Sequence, residues 1–123
     1  MKFSIENALY TAKFTSAAVA NIKSLPKNVR RSLRKQLESV VLKDPIGCSE
    51  ELTGRLERFR SFHYLDYRII YRVFSDMNAI AVVGVGKKNA GHYAEIYKRL
   101  EALVEAGKLA DSFLEHLRSV SNS

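Results

Sequence analysis

The feature that most constrains the fold is a row of three strand-like runs joined by very short links. Residues 55–64, 67–75 and 79–86 are rich in aromatic and β-branched side chains, a composition typical of β-strands. Only Leu65-Asp66 separates the first two runs, and residues 76–78 separate the second from the third. Links this short make consecutive strands antiparallel neighbours. The sequence therefore predicts an antiparallel meander at the centre of the chain.

Helical patterns flank the meander. Residues 16–25, with Ser16 as the N-cap, and residues 26–44 space their apolar side chains at helical intervals and predict an αα-hairpin. A short strand over 8–14 precedes the hairpin, and helical spacing returns after the meander, with a stop at Gly107. The order β-α-α-β-β-β-α-α predicts an α+β domain, in which two N-terminal helices pack on one face of a small, mainly antiparallel sheet, together with C-terminal helices.

Length and composition limit the organisation of the chain. With 123 residues and 46% hydrophobic content, residues 1–123 are expected to form one domain, with 107–123 as a C-terminal helical extension. The sequence has no run of about 18 apolar residues and no signal-peptide pattern, so we expect a cytoplasmic protein without a membrane span. A single cysteine and three scattered histidines do not have the spacing of metal ligands, so the sequence predicts no metal or other cofactor.

The charge of the chain is strongly positive. The formal net charge is +7 and the isoelectric point is near 9.7. A small basic domain favours a polyanionic partner, and the charge alone leaves RNA, DNA and an acidic protein open.

The middle strand of the meander contains an arginine among core-type residues. Side chains alternate along a strand, so one face is apolar and aromatic (Tyr67, Ile69, Tyr71 and Val73). Arg68 lies on the other face. Because a buried, unpaired guanidinium is costly, Arg68 is expected either to pair with a carboxylate, Asp66 or Glu57, or to face an open groove.

The ends of the strands carry further cations. Gly84 and Gly86 remove side chains near the end of the third strand, where a ligand could approach closely, and two lysines follow. If these strand ends meet at one side of the sheet, five side chains converge there: Arg60, His63, Arg68, Lys88 and Tyr93.

Three segments together resemble a known family. "SLPKNVRRSL", "DPIGCSEELTGRLERFRSFHYLDYRIIYRVF" and "AIAVVGVGKK" followed by a tyrosine are similar to the RelE/ParE superfamily of type II toxin–antitoxin toxins, over residues 8–100. The resemblance implies a compact α+β fold and a cognate antitoxin protein as partner. For a RelE-like toxin it implies cleavage of mRNA on the ribosome, and for a ParE-like toxin it implies inhibition of DNA gyrase.

The resemblance also assigns residues. Arg68 matches an arginine that contacts the RNA phosphate in RelE-like toxins, and Arg60 matches an arginine in one variant of the preceding strand. Lys88 stands where an arginine is usual, Tyr93 lies near a late tyrosine of the family, and His63 stands where many members have arginine.

Several positions depart from the family pattern. Leu65 replaces the usual glycine of the turn, and Lys88 replaces an arginine. Phe59 and Ser61 stand where some ribosome-dependent members carry a lysine pair.

These residues suit RNA cleavage by the 2′-hydroxyl group. Arg68 and Lys88 could stabilise charge on the phosphorus centre, His63 titrates near neutral pH and could act as acid or base, and Tyr93 could stack on a base or donate a proton. Simpler interpretations stay open, because His63 could be a surface residue and Tyr93 a core residue. Five further cations are predicted to bind RNA: Arg58, Arg60, Lys87, Arg30 and Arg34. The basic helix face that contains Arg30 and Arg34 could instead bind an acidic antitoxin or only face solvent.

The residues and the resemblance together predict an mRNA endonuclease toxin that needs no metal, and the resemblance implies that it acts together with the ribosome. The alternative is a ParE-like inhibitor that binds DNA gyrase without catalysis. The predicted partners are an antitoxin, mRNA and the ribosome, or gyrase in the alternative.

Overall fold

The computed structural model describes residues 10–88 and 97–101. The first half contains β1 (Thr11–Phe14), α1 (Ser16–Lys23) and α2 (Lys27–Gln36), which continues as a π-helical turn at Leu37–Val41. The second half contains β2 (Glu50–Glu51), β3 (Phe59–Tyr64), β4 (Tyr67–Phe74) and β5 (Ala79–Lys87). Short 3₁₀ turns lie at Gly54–Leu56 and Ser75–Met77, and residues 97–101 are helical. The predicted extension 107–123 lies outside the described residues.

The strands form one sheet in the order β1-β5-β4-β3-β2. The predicted meander β3-β4-β5 is antiparallel and is confirmed, whereas β1 pairs with β5 in parallel. The sheet is therefore mainly antiparallel, as expected for the predicted α+β class.

Two details of the strands differ from the prediction. The first meander strand begins at Phe59 rather than residue 55, because Gly54 has a φ of +67° and starts a 3₁₀ turn. Glu50 and Glu51, which lie outside every predicted element, form a two-residue edge strand in which Glu50 pairs with Ser61 and Glu51 with Arg60. A two-residue strand is too short to show an alternating pattern of side chains in the sequence, so only its pairing with β3 identifies it.

The helical hairpin also departs from the prediction at its ends. Thr15, not Ser16, is the N-cap of α1, since its Oγ1 accepts a hydrogen bond from the Ala18 amide at 3.0 Å. Pro26 precedes the first residue of α2 and itself caps it. The second helix ends in the π-helical turn at Val41 rather than at Asp44, because the Leu42 amide bonds to the Leu37 carbonyl five residues back.

Apolar side chains cover both faces of the sheet. On one face, Leu33, Leu37 and Val41 of the helical hairpin pack against a cluster that includes Ile69 and Tyr71. This outcome confirms the predicted apolar face of β4. On the other face, Ile70 and Phe74 pack with Leu100 of the helical residues 97–101. The expectation that the helices share one face is therefore wrong.

An irregularity in the β4–β5 pairing positions the end of β5. Ile70 lies opposite Gly84 and Tyr71 opposite Val82, so Val83 is an extra residue in β5. Beyond this bulge Gly86 lies opposite Arg68.

None of the helices within residues 10–88 and 97–101 has the length and apolar character needed to cross a bilayer.

Candidate functional site

The register of three strands brings His63, Arg68 and the end of β5 together at one end of the sheet. His63 of β3 lies directly opposite Arg68 of β4, and Gly86 of β5 lies opposite Arg68 on the other side. Gly86 has no side chain, so the guanidinium of Arg68 has a flat neighbour on that side. The Lys88 amide donates a hydrogen bond to the Asp66 carbonyl at 2.8 Å, which holds Lys88 beside the β3–β4 turn.

Arg68 is the most buried cation of this group. Its residue is only 8% exposed, and its Nη1 donates to the backbone carbonyls of Tyr67 at 3.0 Å and Leu65 at 3.5 Å. In the part of the chain that the structure describes, no carboxylate forms an ion pair with it. The expected ion pair of Arg68 with Asp66 or Glu57 is therefore not formed, and the guanidinium bonds to backbone carbonyls of the turn instead.

The remaining donors of Arg68 are uncommitted within the described residues. Both hydrogen bonds leave Nη1, so Nε and Nη2 make none with the described residues. A guanidinium with two adjacent free N–H sites presents the fork that matches two oxygens of a phosphate.

His63 lies between opposite charges. Its Nε2 is 3.7 Å from Glu50 Oε1, and its side chain is 43% exposed. Burial and the positive charge of Arg68 lower the pKa of His63, the negative charge of Glu50 raises it, and Lys88 lowers it further. The lowered pKa leaves the neutral imidazole as the main form at neutral pH. Neutral His63 can accept a proton, which a general base must do.

The turn beside these residues is strained. Leu65 has a φ of +54°, in the left-handed region that favours glycine or asparagine, and the residue is 77% exposed. The conformation costs about 1–2 kcal/mol for a residue with a Cβ atom. Packing does not offset this cost, because most of the side chain faces solvent.

Other predicted residues lie elsewhere. Arg60 is on the face of β3 opposite to His63, and it binds the loop that precedes β2. Lys87 pairs with Tyr67 and shares its face, on the side of the helical hairpin. Arg30 and Arg34 are on α2, also on that side. Tyr93 lies outside the described residues.

Comparisons with known proteins identify the family. Residues 12–90 match the family model described as the ParE toxin of the type II toxin–antitoxin system parDE. The chain belongs to this toxin family. It is thus a toxin of a type II toxin–antitoxin system, within the RelE/ParE superfamily. Among curated proteins no relative matches.

Solved structures support the same fold for the toxin. It is similar to the isolated E. coli RelE toxin, with 26% identity, a TM-score of 0.55, and coverage of 74% of this chain and 98% of that one. It is similar to RelE in the intact E. coli RelBE complex, with 27% identity, a TM-score of 0.56, and coverage of 66% and 99%. The RelBE2 complex from Mycobacterium tuberculosis, at 20% identity, shares the fold, with a TM-score of 0.62 and coverage of 64% and 98%.

Glu50 is a residue of the toxin's candidate site that sequence reasoning missed. It pairs with Ser61, two residues from His63 along β3, and so shares the face of His63. A two-residue strand in an acidic segment gave no pattern to place it. Only the edge pairing brings its carboxylate beside the imidazole.

Arg58 and Arg72 form a second cationic pair of the toxin, near the start of β3. Arg72 shares the face of Arg68 and lies 4.9 Å from the ring centroid of Phe74. Burial lowers the pKa of Arg72, and the charge of Arg58 lowers it further. Two arginines close enough to repel each other add to the positive potential of this region.

The opposite side of the toxin has a wide groove between β1 and the helical hairpin. The groove has a volume of about 940 Å³. Apolar side chains line much of it, among them Ile22, Leu33 and Ile69, and several cations line it as well: Lys13, Lys27, Arg30, Arg31 and Arg34. Glu38 is there too, but it forms an ion pair with Arg34 at 3.4 Å. The groove is therefore apolar and positively charged.

Proposed function

We propose that the toxin is an mRNA endonuclease whose site is the cluster of His63, Arg68 and Lys88. The supporting observation is the state of Arg68, a largely buried cation without a carboxylate partner among the described residues and with Nε and Nη2 uncommitted. Leaving donors of a buried charge unsatisfied is unfavourable, so the arrangement favours an anion that binds there. A phosphodiester fits the free fork of the guanidinium.

The proposed reaction proceeds by attack of the 2′-oxygen on the adjacent phosphorus. The bond from phosphorus to the 5′-oxygen breaks, and the products are a 2′,3′-cyclic phosphate and a free 5′-hydroxyl. Neutral His63 takes the proton of the 2′-hydroxyl, while Arg68 and Lys88 stabilise the extra negative charge on the phosphorane. The leaving 5′-oxygen needs a proton, and Tyr93, the predicted proton donor, would supply it.

We further propose that the ribosome presents the mRNA to this site. The net charge of +7 favours a polyanionic surface, and the second cationic pair, Arg58 and Arg72, extends the positive potential beyond the candidate site. RelE-like toxins, to which this chain is similar, suggest the same mode of action.

Inhibition of DNA gyrase by binding alone is the second candidate. The family model that matches residues 12–90 is the model of ParE toxins, which favours this alternative. A gyrase inhibitor would not need His63, because no proton is transferred.

The partner that restrains the toxin is proposed to be an antitoxin with an acidic, amphipathic segment. The groove between β1 and the helical hairpin combines apolar residues with cations, and Arg30 Nε is buried there without a hydrogen bond. An acidic helix or strand would cover the apolar surface and pair with the cations. Solved relatives such as E. coli RelBE are toxin–antitoxin complexes.

The decisive experiment is expression of the toxin and of Arg68→Ala without an antitoxin. We expect the wild-type toxin to arrest growth, with rapid loss of intact mRNA and with cut ends that carry cyclic phosphate. Arg68→Ala should lower the cleavage rate by at least about 100-fold, since it removes a donor pair to the transition-state charge. Arg68→Gln keeps more of the side-chain volume and should be equally inactive.

The control is Lys23→Ala, which removes an exposed cation at the end of α1 and should leave toxicity unchanged. Thermal unfolding must show that the Arg68 variants are folded. Growth arrest with intact messages and damaged DNA would reject the nuclease in favour of gyrase inhibition. Full toxicity of a folded Arg68→Ala variant would reject the site. Co-expression of the protein encoded in an adjacent small reading frame should restore growth, as expected for an antitoxin.

A further inference from the structure

Leu65 combines an unfavourable backbone with an unburied side chain. It has a φ of +54° in the two-residue turn between β3 and β4, and the residue is 77% exposed. Among the residues that the structure describes, Asn78 is the other non-glycine residue with a positive φ, and asparagine tolerates this conformation. Within the described residues, therefore, the leucine side chain brings no packing that would explain its presence at a strained position.

The position of Leu65 points to a contact outside the toxin. Its carbonyl accepts a hydrogen bond from Arg68 Nη1, and the carbonyl of the next residue, Asp66, accepts one from the Lys88 amide. His63 lies two residues before it. Leu65 is thus an apolar side chain at the rim of a cluster that otherwise consists of polar and charged groups.

We propose that Leu65 packs against the base of a nucleotide that adjoins the phosphate held by Arg68. This inference rests on the proposed nuclease function and names a residue that positions its substrate. Every nucleobase has an apolar face, and aliphatic side chains can be inserted against it. A strained backbone conformation that does not benefit the fold is expected where the residue takes part in binding.

The test compares stability with cleavage in the same variant. Leu65→Asn accepts the left-handed conformation, so its melting temperature should rise by about 3–6 °C. Its rate of mRNA cleavage, measured under single-turnover conditions in a reconstituted translation system, should fall about tenfold, as expected for loss of a buried leucine contact. Leu65→Met restores an apolar side chain and should recover most of the lost rate.

Ile46→Asn is the matched control. Ile46 is also an exposed apolar residue, at 50%, but it lies in the loop before β2, on the side of Arg60. The substitution should leave the cleavage rate within about twofold, as is usual for surface changes.

The outcomes separate this inference from the proposed function. If Arg68→Ala is inactive while Leu65→Asn cleaves at the wild-type rate, the nuclease function stands and the role of Leu65 is refuted. If Leu65→Asn loses cleavage but is also less stable than the wild type, strain relief is wrong and the inference is overturned. If the wild-type toxin cleaves no mRNA in this system, both proposals fail.

Discussion

Replacement of Arg60 by alanine should destabilise the fold rather than weaken an RNA contact. Sequence reasoning placed Arg60 among the RNA-binding residues. In the structure its Nε donates to Ser49 Oγ at 2.7 Å, and its Nη2 donates to the carbonyls of Ser49 at 2.9 Å and Ile46 at 3.1 Å. These three bonds fasten the loop that leads into β2, the strand that carries Glu50.

The size of the effect follows from these bonds. A hydrogen bond from a charged donor contributes about 1.5–3 kcal/mol when buried, and about 0.5–1.5 kcal/mol is typical of neutral bonds. Arg60 is half-buried and its contact with Ile46 is exposed, so we expect a total loss of about 2–3 kcal/mol. For a chain of 123 residues this corresponds to a fall in melting temperature of about 6–15 °C.

The assay is thermal unfolding followed by circular dichroism, with mRNA cleavage measured well below the transition. Arg58→Ala is the matched control, because Arg58 is a nearby exposed arginine that makes no hydrogen bond within the described residues. Its melting temperature should stay within about 3 °C of the wild type. An Arg60→Ala variant with unchanged stability and strongly reduced cleavage would refute this reasoning and support a direct contact of Arg60 with RNA.

Two further predictions concern pH dependence and the core. Glu50 raises the pKa of His63, so in Glu50→Gln the acidic limb of the pH–rate profile for cleavage should move to lower pH. Glu51 lies on the opposite face of β2, so Glu51→Gln should leave this limb in place. The pair is exposed and worth less than about 1 kcal/mol, so the rate at a fixed pH should change by less than about fivefold; an unchanged limb would mean that His63 does not govern it. Tyr71→Phe should lower the free energy of unfolding by about 0.5–1.5 kcal/mol, because it removes the hydrogen bond that the buried Tyr71 hydroxyl donates to the Pro45 carbonyl at 2.6 Å, while Ser49 Oγ still donates to that carbonyl at 2.7 Å. Urea unfolding measures the loss. The control is Tyr67→Phe, because the Tyr67 hydroxyl makes no hydrogen bond within the described part of the chain, and this variant should unfold almost as the wild type does. Equal stability of both variants would contradict the role of the Tyr71 bond.

Local patterns predicted much of the candidate site. The two-residue link after Tyr64 set the pairing of β3 with β4, and strand alternation then placed Arg68 and His63 on one face and Arg60 on the other. The same alternation places Arg60 on the face opposite to Arg68, although the sequence analysis had listed both among the five side chains expected to converge. The partners of Arg68 could not be predicted, because backbone carbonyls near the turn compete with carboxylates only once the turn geometry is known.

The sequence by itself determined the elements whose pattern repeats within a few residues: the helical hairpin, the meander and the apolar face of β4. It also carried the family resemblance, which the match over residues 12–90 confirmed. Tertiary structure alone decided which distant residues meet. Glu50 reaches His63 only through the pairing of a two-residue edge strand, and Gly86 faces Arg68 only because Val83 is an extra residue in β5. Such contacts depend on hydrogen bonds between strands far apart in the chain, and no local periodicity encodes them.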